Sequence, residues 1–529
     1  MNLKSSFSKV SESPTRPLSN KKNKKFDAMD FFSGPVEDDS AKQTNSDLEL
    51  DDKLRKAYFW ITNNAIISPY YDIEYHKGAF HSFPIGDSRS KVNFPSDQSY
   101  SSYVLFPLLT LAVRKRCLLV GGPGRGKTAS AILMGVLAGY TTKEIKRAIQ
   151  HGQPQMTVSD LLGNPLPSDL VNAKNMEDIK IAWRKWLGMR VKIIDEYNRI
   201  PTRTQSALLT VLADNYAEIL DQIYECPEAA WYLTANDDAG GGTYQVIEAF
   251  KDRIDIVVPA LHFNTRFLRE LLERIENKIR PEEVVPKEIV FSPEELDRIN
   301  DEILEIEVPE ELLRRVEFFA SQFEFSELAA EQIEYKTKDT LKLSGIDYRT
   351  IAMTETGKDK GKDIGSQTQN GLSVRAMMTC LNYMKALTYF RGEKIVSLED
   401  IRHTLPFVLH DKLVQNTDSP FFESPSNAVY KTDKISWIRK IFDLSCEEYN
   451  RLELDTKDPI YQLETEFKSG LEGLGVRETE TRLKKIEAIM QTLSEGKKVY
   501  GHNFDDILKL KYLHQRYTNY LNWAKWKNT

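Results

Sequence analysis

Residues 121–128 read Gly-Gly-Pro-Gly-Arg-Gly-Lys-Thr and leave the chain around them few ways to fold. An apolar run at 117–120 precedes them and a helix-like run at 129–139 follows. Strand, glycine loop and helix in that order, with the spacing G-x-x-x-x-G-K-[ST], make a phosphate-binding loop. Glycines let the backbone approach a ligand closely, and the loop N–H groups with the helix N-terminus form a cradle for anionic oxygens. In such a loop the lysine, here Lys127, reaches the β- and γ-phosphates, and the hydroxyl of Thr128 is a Mg²⁺ ligand.

At 529 residues one core is not enough, and two to four domains are expected. A chain that is 41% hydrophobic and 28% charged has the composition of a globular protein. The net charge of −6 and pI near 5.9 argue against a general nucleic-acid binder. The four cysteines, Cys117, Cys226, Cys380 and Cys446, form no CxxC pair and read as reduced thiols of a cytoplasmic protein. The eight histidines lack H-x₃-H or HExxH spacing, so no structural zinc is expected. There is no apolar leader, and the apolar stretch 103–113 is too short to span a bilayer.

Taken in order, residues 1–50 read as a disordered tail, with a basic cluster at 21–25, Phe31-Phe32 and an acidic run at 37–39; a docking arm is the alternative. Residues 51–100 form an N-terminal extension, ordered over 54–67 and mainly loop over 79–101. A buried helix is expected over 103–113, a strand and turn over 155–163, and a helix or covering segment over 179–187, with Trp183 and Trp186. The run 191–194 ends in Asp195-Glu196, as a buried parallel strand with a functional C-terminal end does. In phosphate-loop enzymes the first acid holds Mg²⁺ and the second orients and deprotonates the attacking water. A helix over 204–215 and a buried strand over 231–234, ending near Asn236, follow. Gly240-Gly241-Gly242 is a loop, and 254–258 is a last strand stopped by Pro259.

With these pieces in place the chain resembles an AAA+ ATPase of the MoxR group. The resemblance rests on Gly121–Thr128, on Ile194-Asp195-Glu196-Tyr197-Asn198-Arg199 followed by Thr204-Gln205-Ser206-Ala207-Leu208-Leu209, and on Thr234-Ala235-Asn236. It rests further on Gly242-Thr243-Tyr244 through Glu248-Ala249 to Asp252-Arg253, on Gly371-Leu372-Ser373-Val374-Arg375-Ala376, and on 402–413. It covers about residues 100–415. It implies an α/β fold, a parallel sheet flanked by helices, over 101–262, and a helical lid over 263–415 with a polar insertion at 331–370. A further helical region, 416–529, lies beyond it, with helices expected over 435–449, 461–471, 481–493 and 504–526 and a linker at 419–426.

The resemblance implies ATP and Mg²⁺ as ligands. Nucleotide contacts come from Gly121, Gly122, Pro123, Gly124, Arg125, Gly126, Lys127, Thr128 and Ala129, and metal contacts from Thr128 and Asp195. It makes Glu196 the catalytic base and Asn236 the sensor-1 residue. Arg375 becomes the sensor-2 residue of the same subunit, and Arg253 an arginine finger reaching into the next one. Arg253 has a structural alternative, an ion pair with Asp252 or Asp255; Arg375 has another, an exposed helix-start position; Arg199 is a second interface candidate. A homo-oligomeric ring, a hexamer by resemblance, and a protein client are implied, with a von Willebrand factor A domain partner. Asp237 in place of the usual proline, the lack of a Gly-Pro element before Asp195, and the polar insertion depart from the family pattern. Rival readings are a nucleic-acid motor of the McrB or helicase kind and a non-hydrolysing ATP-dependent scaffold. The aromatic stripe Tyr512, Tyr517, Tyr520, Trp523 and Trp526 is expected to pack in a core or subunit contact rather than stack on bases.

Overall fold

Four mainly apolar runs and a two-residue polar edge strand pair into one parallel sheet: β1 (Arg116–Val120), β2 (Gln150–His151), β3 (Val191–Asp195), β4 (Ala230–Ala235) and β5 (Ile256–Pro259). Their order is β5-β1-β4-β3-β2. Every pair is parallel, with Leu233 opposite Ile194, Ala235 opposite Val120 and His151 opposite Asp195. The inner strands are mainly apolar, as strands covered on both faces are, and β4 is buried along its whole length. The register brings the C-terminal ends of β1, β3 and β4 to one edge, where the loops carry the polar residues. The computed structural model describes residues 49–529 apart from 87–89, 173–174, 176–178, 237–247, 278–279, 347–362, 472, 497–498 and 528–529. The tail through residue 48, Asp237, Gly240-Gly241-Gly242, Thr243, Tyr244 and the charged run 357–362 lie outside the described residues.

The extension is built into the core. Helix α1 (Leu50–Trp60) buries Leu54, Ala57 and Tyr58, and the Tyr58 ring meets Phe390 edge-on at 5.5 Å. Helix α2 (Ser102–Val113) is apolar all round and buried all round, as such helices must be. It joins the sheet to the helical domain, since Tyr232 Oη donates to Pro107 O at 2.8 Å and Thr110 Oγ1 lies 2.7 Å from Tyr383 Oη. The helical domain contains helices Pro293–Leu304, Glu310–Ser321, Val374–Phe390 and Leu398–Leu409. Ser292 and Ser397 open the first and last of these with capping boxes to Glu295 and Asp400. The C-terminal helices are Lys434–Arg451, Pro459–Lys468, Val476–Ser494 and Gly501–Lys527. The expected fold class, a helix-flanked parallel sheet with a helical lid and a helical C-terminal region, is the one observed.

Several local expectations are corrected. Residues 158–162 are helical, not strand, because Thr157 and Asp160 form a capping box. The stretch 79–101 is not mainly loop: His81–Ile85 and Ser90–Phe94 form a hairpin whose register sets Phe83 against Val92 and His81 against Phe94. Alternation puts Phe83, Ile85, Val92 and Phe94 on one face, all of them exposed. Residues 419–426 are not a free linker, since Phe421 and Phe422 are buried and Phe422 packs 6.1 Å from Trp437. Packing therefore runs through residue 416. Helix Lys434–Arg451 shares the large core, while the three later helices form a second one around Leu463, Leu510, Leu513 and Tyr517. The described ends of the polar insertion differ: 331–346 is largely at the surface but anchored by Lys338 and Leu341, while 364–368 is buried. Lys338, 2% exposed, donates to Gly365 O at 2.6 Å and Thr368 O at 2.9 Å, and Gln367 is fully buried. The aromatic stripe divides, with Tyr517 buried but Tyr512, Trp523 and Trp526 exposed, Tyr512 lying at the margin of the second core, edge-on to Phe467 at 6.1 Å.

Candidate functional site

The loop after β1 turns into helix α3 (Lys127–Leu137). Gly121 lies so close to the chain after β5 that a Cβ there would stand 2.6 Å from Ala260 O, so no larger residue fits without moving backbone. Lys127 is 6% exposed, and its ammonium donates to Gly121 O at 2.6 Å, Gly122 O at 2.8 Å and Asn236 Oδ1 at 3.0 Å. Thr128 Oγ1 donates to Asp195 Oδ1 at 2.7 Å. At the end of β3, Glu196 takes up φ 54°, the left-handed region, which turns its carboxylate out of the strand direction. Asn236 Nδ2 donates to Glu196 Oε1 at 2.7 Å, and Arg199 Nε lies 3.2 Å from Glu196 Oε2. Lys127, Asn236 and Glu196 thus form one chain of hydrogen bonds, joining the phosphate loop to the ends of β4 and β3.

The donor set suits Mg²⁺ and a polyphosphate. The Thr128 hydroxyl and the Asp195 carboxylate already touch, as hard oxygen ligands bridged by a small cation would need to be close. The buried ammonium of Lys127 sits on carbonyl oxygens of the loop itself, positions that phosphate oxygens take over in this motif.

The two remaining arginines lie elsewhere. Arg375, at the start of Val374–Phe390, ion-pairs with Asp252, whose other oxygen accepts from Ser373 Oγ at 2.9 Å. Arg253, at the end of helix Glu248–Arg253, donates from Nη1 to Ala249 O at 3.0 Å, and its Nε has no hydrogen-bond partner among the described residues. Neither alternative ion pair of Arg253 forms. Asp252 is taken by Arg375, and Asp255 accepts from Arg116 N at 2.9 Å and Thr379 Oγ1 at 2.8 Å. Neither arginine joins the Lys127–Asn236–Glu196 chain, whereas Arg199, partly exposed, ion-pairs with Glu196.

Sequence reasoning did not find the cavity beside the loop. About 500 Å³ in volume, it is walled by Gly124–Gly126 on one side and by Ile66, Ile67, Tyr70, Tyr103, His262 and Leu271 around the rest. Tyr103 Oη donates to Arg125 O at 3.2 Å, and Tyr70 Oη lies 2.8 Å from His262 Nδ1. A mostly apolar cavity continuous with a phosphate loop has the size and polarity for a nucleoside. Its walls come from the extension, from the loop and from beyond β5, and no short motif marks them.

Residues 116–256 match the family described as "ATPase family associated with various cellular activities (AAA)", and residues 362–432 match the AAA lid domain. The chain is similar to the chaperone MoxR1 of Mycobacterium tuberculosis, at 24% identity over 319 residues, which span 59% of this chain and 71% of that protein. A crystal structure of a candidate ATPase from Cytophaga hutchinsonii aligns with a TM-score of 0.45 and 20% identity, over 64% of this chain and 88% of that one. Among the described residues no helix is long and apolar enough to cross a membrane. With the sheet order, the loop and the matched lid on one chain, residues 116–256 and 362–432 carry an AAA-type ATPase domain and its lid, and the chain is similar to a MoxR chaperone.

Proposed function

We propose that the chain hydrolyses ATP to ADP and phosphate at the edge of its parallel sheet, within a homo-oligomeric ring in the cytoplasm. The observation that carries the reading is the hydrogen-bonded series Lys127–Asn236–Glu196 beside Thr128–Asp195. The nucleoside occupies the cavity between the extension and the loop, and the loop N–H groups and Lys127 take the phosphates. Thr128 and Asp195 hold Mg²⁺, which when bound neutralises charge on the phosphate oxygens. Glu196 accepts a proton from the attacking water while Asn236 orients that water against the γ-phosphoryl group. Arg375 contacts nucleotide from the lid once it releases Asp252. Arg253 enters the neighbouring subunit's site as an arginine finger, which is worth on the order of 10³ or more in rate. By similarity to the chaperone MoxR1, the work is chaperone-like remodelling or maturation of a protein client, and the sequence resemblance adds a von Willebrand factor A domain partner.

The experiment is steady-state ATP turnover of the purified full chain. Glu196→Gln is expected to abolish turnover while leaving ATP affinity within about threefold of the parent. Equal rates for mutant and parent would sink the mechanism, and a parent rate that rises steeply with DNA at low salt would favour a nucleic-acid motor instead.

A further inference from the structure

Glu196 is not glycine, yet it sits at φ 54°. Such a backbone persists only where neighbours enforce it. Two neighbours do so here, from opposite sides. On the side of β2, Gly152 N donates to Asp195 O at 2.7 Å, and a Cβ at 152 would stand 2.2 Å from Glu196 O. On the side of β4, Thr234 Oγ1 accepts from the Glu196 N–H at 2.9 Å and donates its own proton to Asp195 Oδ1 at 2.6 Å. Thr234 is 1% exposed, so its hydroxyl is shielded from solvent between the two acids.

We propose that Thr234 is a positioning residue for the hydrolysis inferred above, its single hydroxyl fixing the metal-binding acid and the base acid relative to one another. The inference rests on that reading of the site. Thr234 acts through its neighbours. By accepting from the Glu196 amide it keeps the left-handed turn that sends the carboxylate to Asn236. By donating to Asp195 Oδ1, which also accepts from Thr128, it saturates that oxygen and leaves Oδ2 free of Thr234 and Thr128, 3.3 Å from His151 Nδ1. The β4 register makes this possible. Leu233 pairs with Ile194, so the next residue of β4 stands beside Asp195. A hydroxyl is the one small group that meets both needs, since it accepts at its lone pair and donates its proton in the same place. Valine has the same shape and offers neither.

The test uses the full chain and three readouts: kcat and KM for ATP, Mn²⁺ affinity of the ADP complex by electron paramagnetic resonance, and melting temperature. Thr234→Val is expected to lower kcat by about 30-fold or more with KM within about threefold, and to weaken Mn²⁺ by about fivefold. Thr234→Ser keeps the hydroxyl and is expected to stay within about threefold of the parent in kcat, KM and Mn²⁺ affinity and to melt near the parent temperature. A Thr234→Val protein with parental kcat and Mn²⁺ affinity overturns the proposal. So does a Thr234→Ser protein as impaired as Thr234→Val, because the methyl group would then be what matters. Should Thr234→Val fail to fold, Thr234→Ala replaces it: impaired Ala with near-parental Ser supports the proposal, and equal Ala and Ser overturn it. If the parent turns over no ATP, the hydrolysis reading fails by itself, and the Mn²⁺ titration still decides whether Thr234 positions Asp195.

Discussion

Asn236 uses both ends of one amide, the oxygen on Lys127 and the nitrogen on Glu196, so the phosphate-binding cation and the base are held through a single side chain. Such sites tolerate little displacement, because a shift of about 1 Å at a reacting group costs about 10²-fold in rate. Gly152→Ala is therefore expected to lower turnover at least about tenfold and stability by about 1–3 kcal/mol. Steady-state kinetics and urea unfolding check the two halves, and an unchanged kcat would mean that the Glu196 turn yields freely. A second residue-scale expectation concerns Asp506, on the last helix, far in sequence from the site. Burial first, and then the nearby Asp458 and Asp505, push its carboxyl up to about 7. A folded-state value raised above the unfolded one gives stability that is full below the unfolded value near 4 and lost as pH rises through 7. Asp506→Asn should stabilise the protein at pH 8 by about 1–2 kcal/mol, allowing for partial solvent screening, and by almost nothing at pH 4. Chemical denaturation at the two pH values measures the difference, and equal gains would show that charge is not the cause.

At the scale of elements, the joint between the extension and the helical domain is a buried ionic cluster. Asp400, fully buried, accepts from Tyr75 Oη at 2.6 Å, Arg391 Nη1 at 2.8 Å and Thr388 Oγ1 at 3.1 Å. Asp400→Ala removes the acceptor and leaves the Arg391 cation without its partner. A loss of about 3–5 kcal/mol is expected by denaturant titration, and a loss below 1 kcal/mol would mean that the cluster relaxes. How far such elements were legible depended on whether one stretch of chain carried the whole signal. The strands β1, β3 and β4, the capped helices and the closeness of Lys127, Thr128, Asp195, Glu196 and Asn236 follow from short strings in which fold and chemistry share residues. The helix at 158–162 was misread because an apolar count outweighed the Thr157–Asp160 cap. The hairpin at 81–94 was misread because its serines and prolines hid the alternation. The cavity beside the phosphate loop was invisible, since Tyr70 and His262 meet from 192 residues apart. The burial of Phe421 and Phe422 likewise depends on helix Lys434–Arg451, which a local reading of a Pro/Ser stretch does not include.

For the whole molecule, the decisive question is which subunit owns which part of a site. If Arg253 serves its neighbour, a ring of Arg253→Ala subunits and a ring of Glu196→Gln subunits are both inactive. Mixing and reassembling them restores interfaces with both residues intact, about a quarter of the total for random mixing. ATPase activity should rise on mixing, and flat activity in rings shown by light scattering to have exchanged subunits would place Arg253 in its own site.

The extension touches two partners within ten residues. Ile66, Ile67 and Tyr70 wall the cavity, while Glu74 and Tyr75 bond His403 and Asp400 of the helical domain. Linkage makes any such sharing reciprocal. Whatever free energy a bound nucleoside applies to this segment, the helical domain returns in equal measure as a change in nucleoside affinity. A tight-binding and a weak-binding state of the cavity would thus be two positions of one stretch of chain, read at either end.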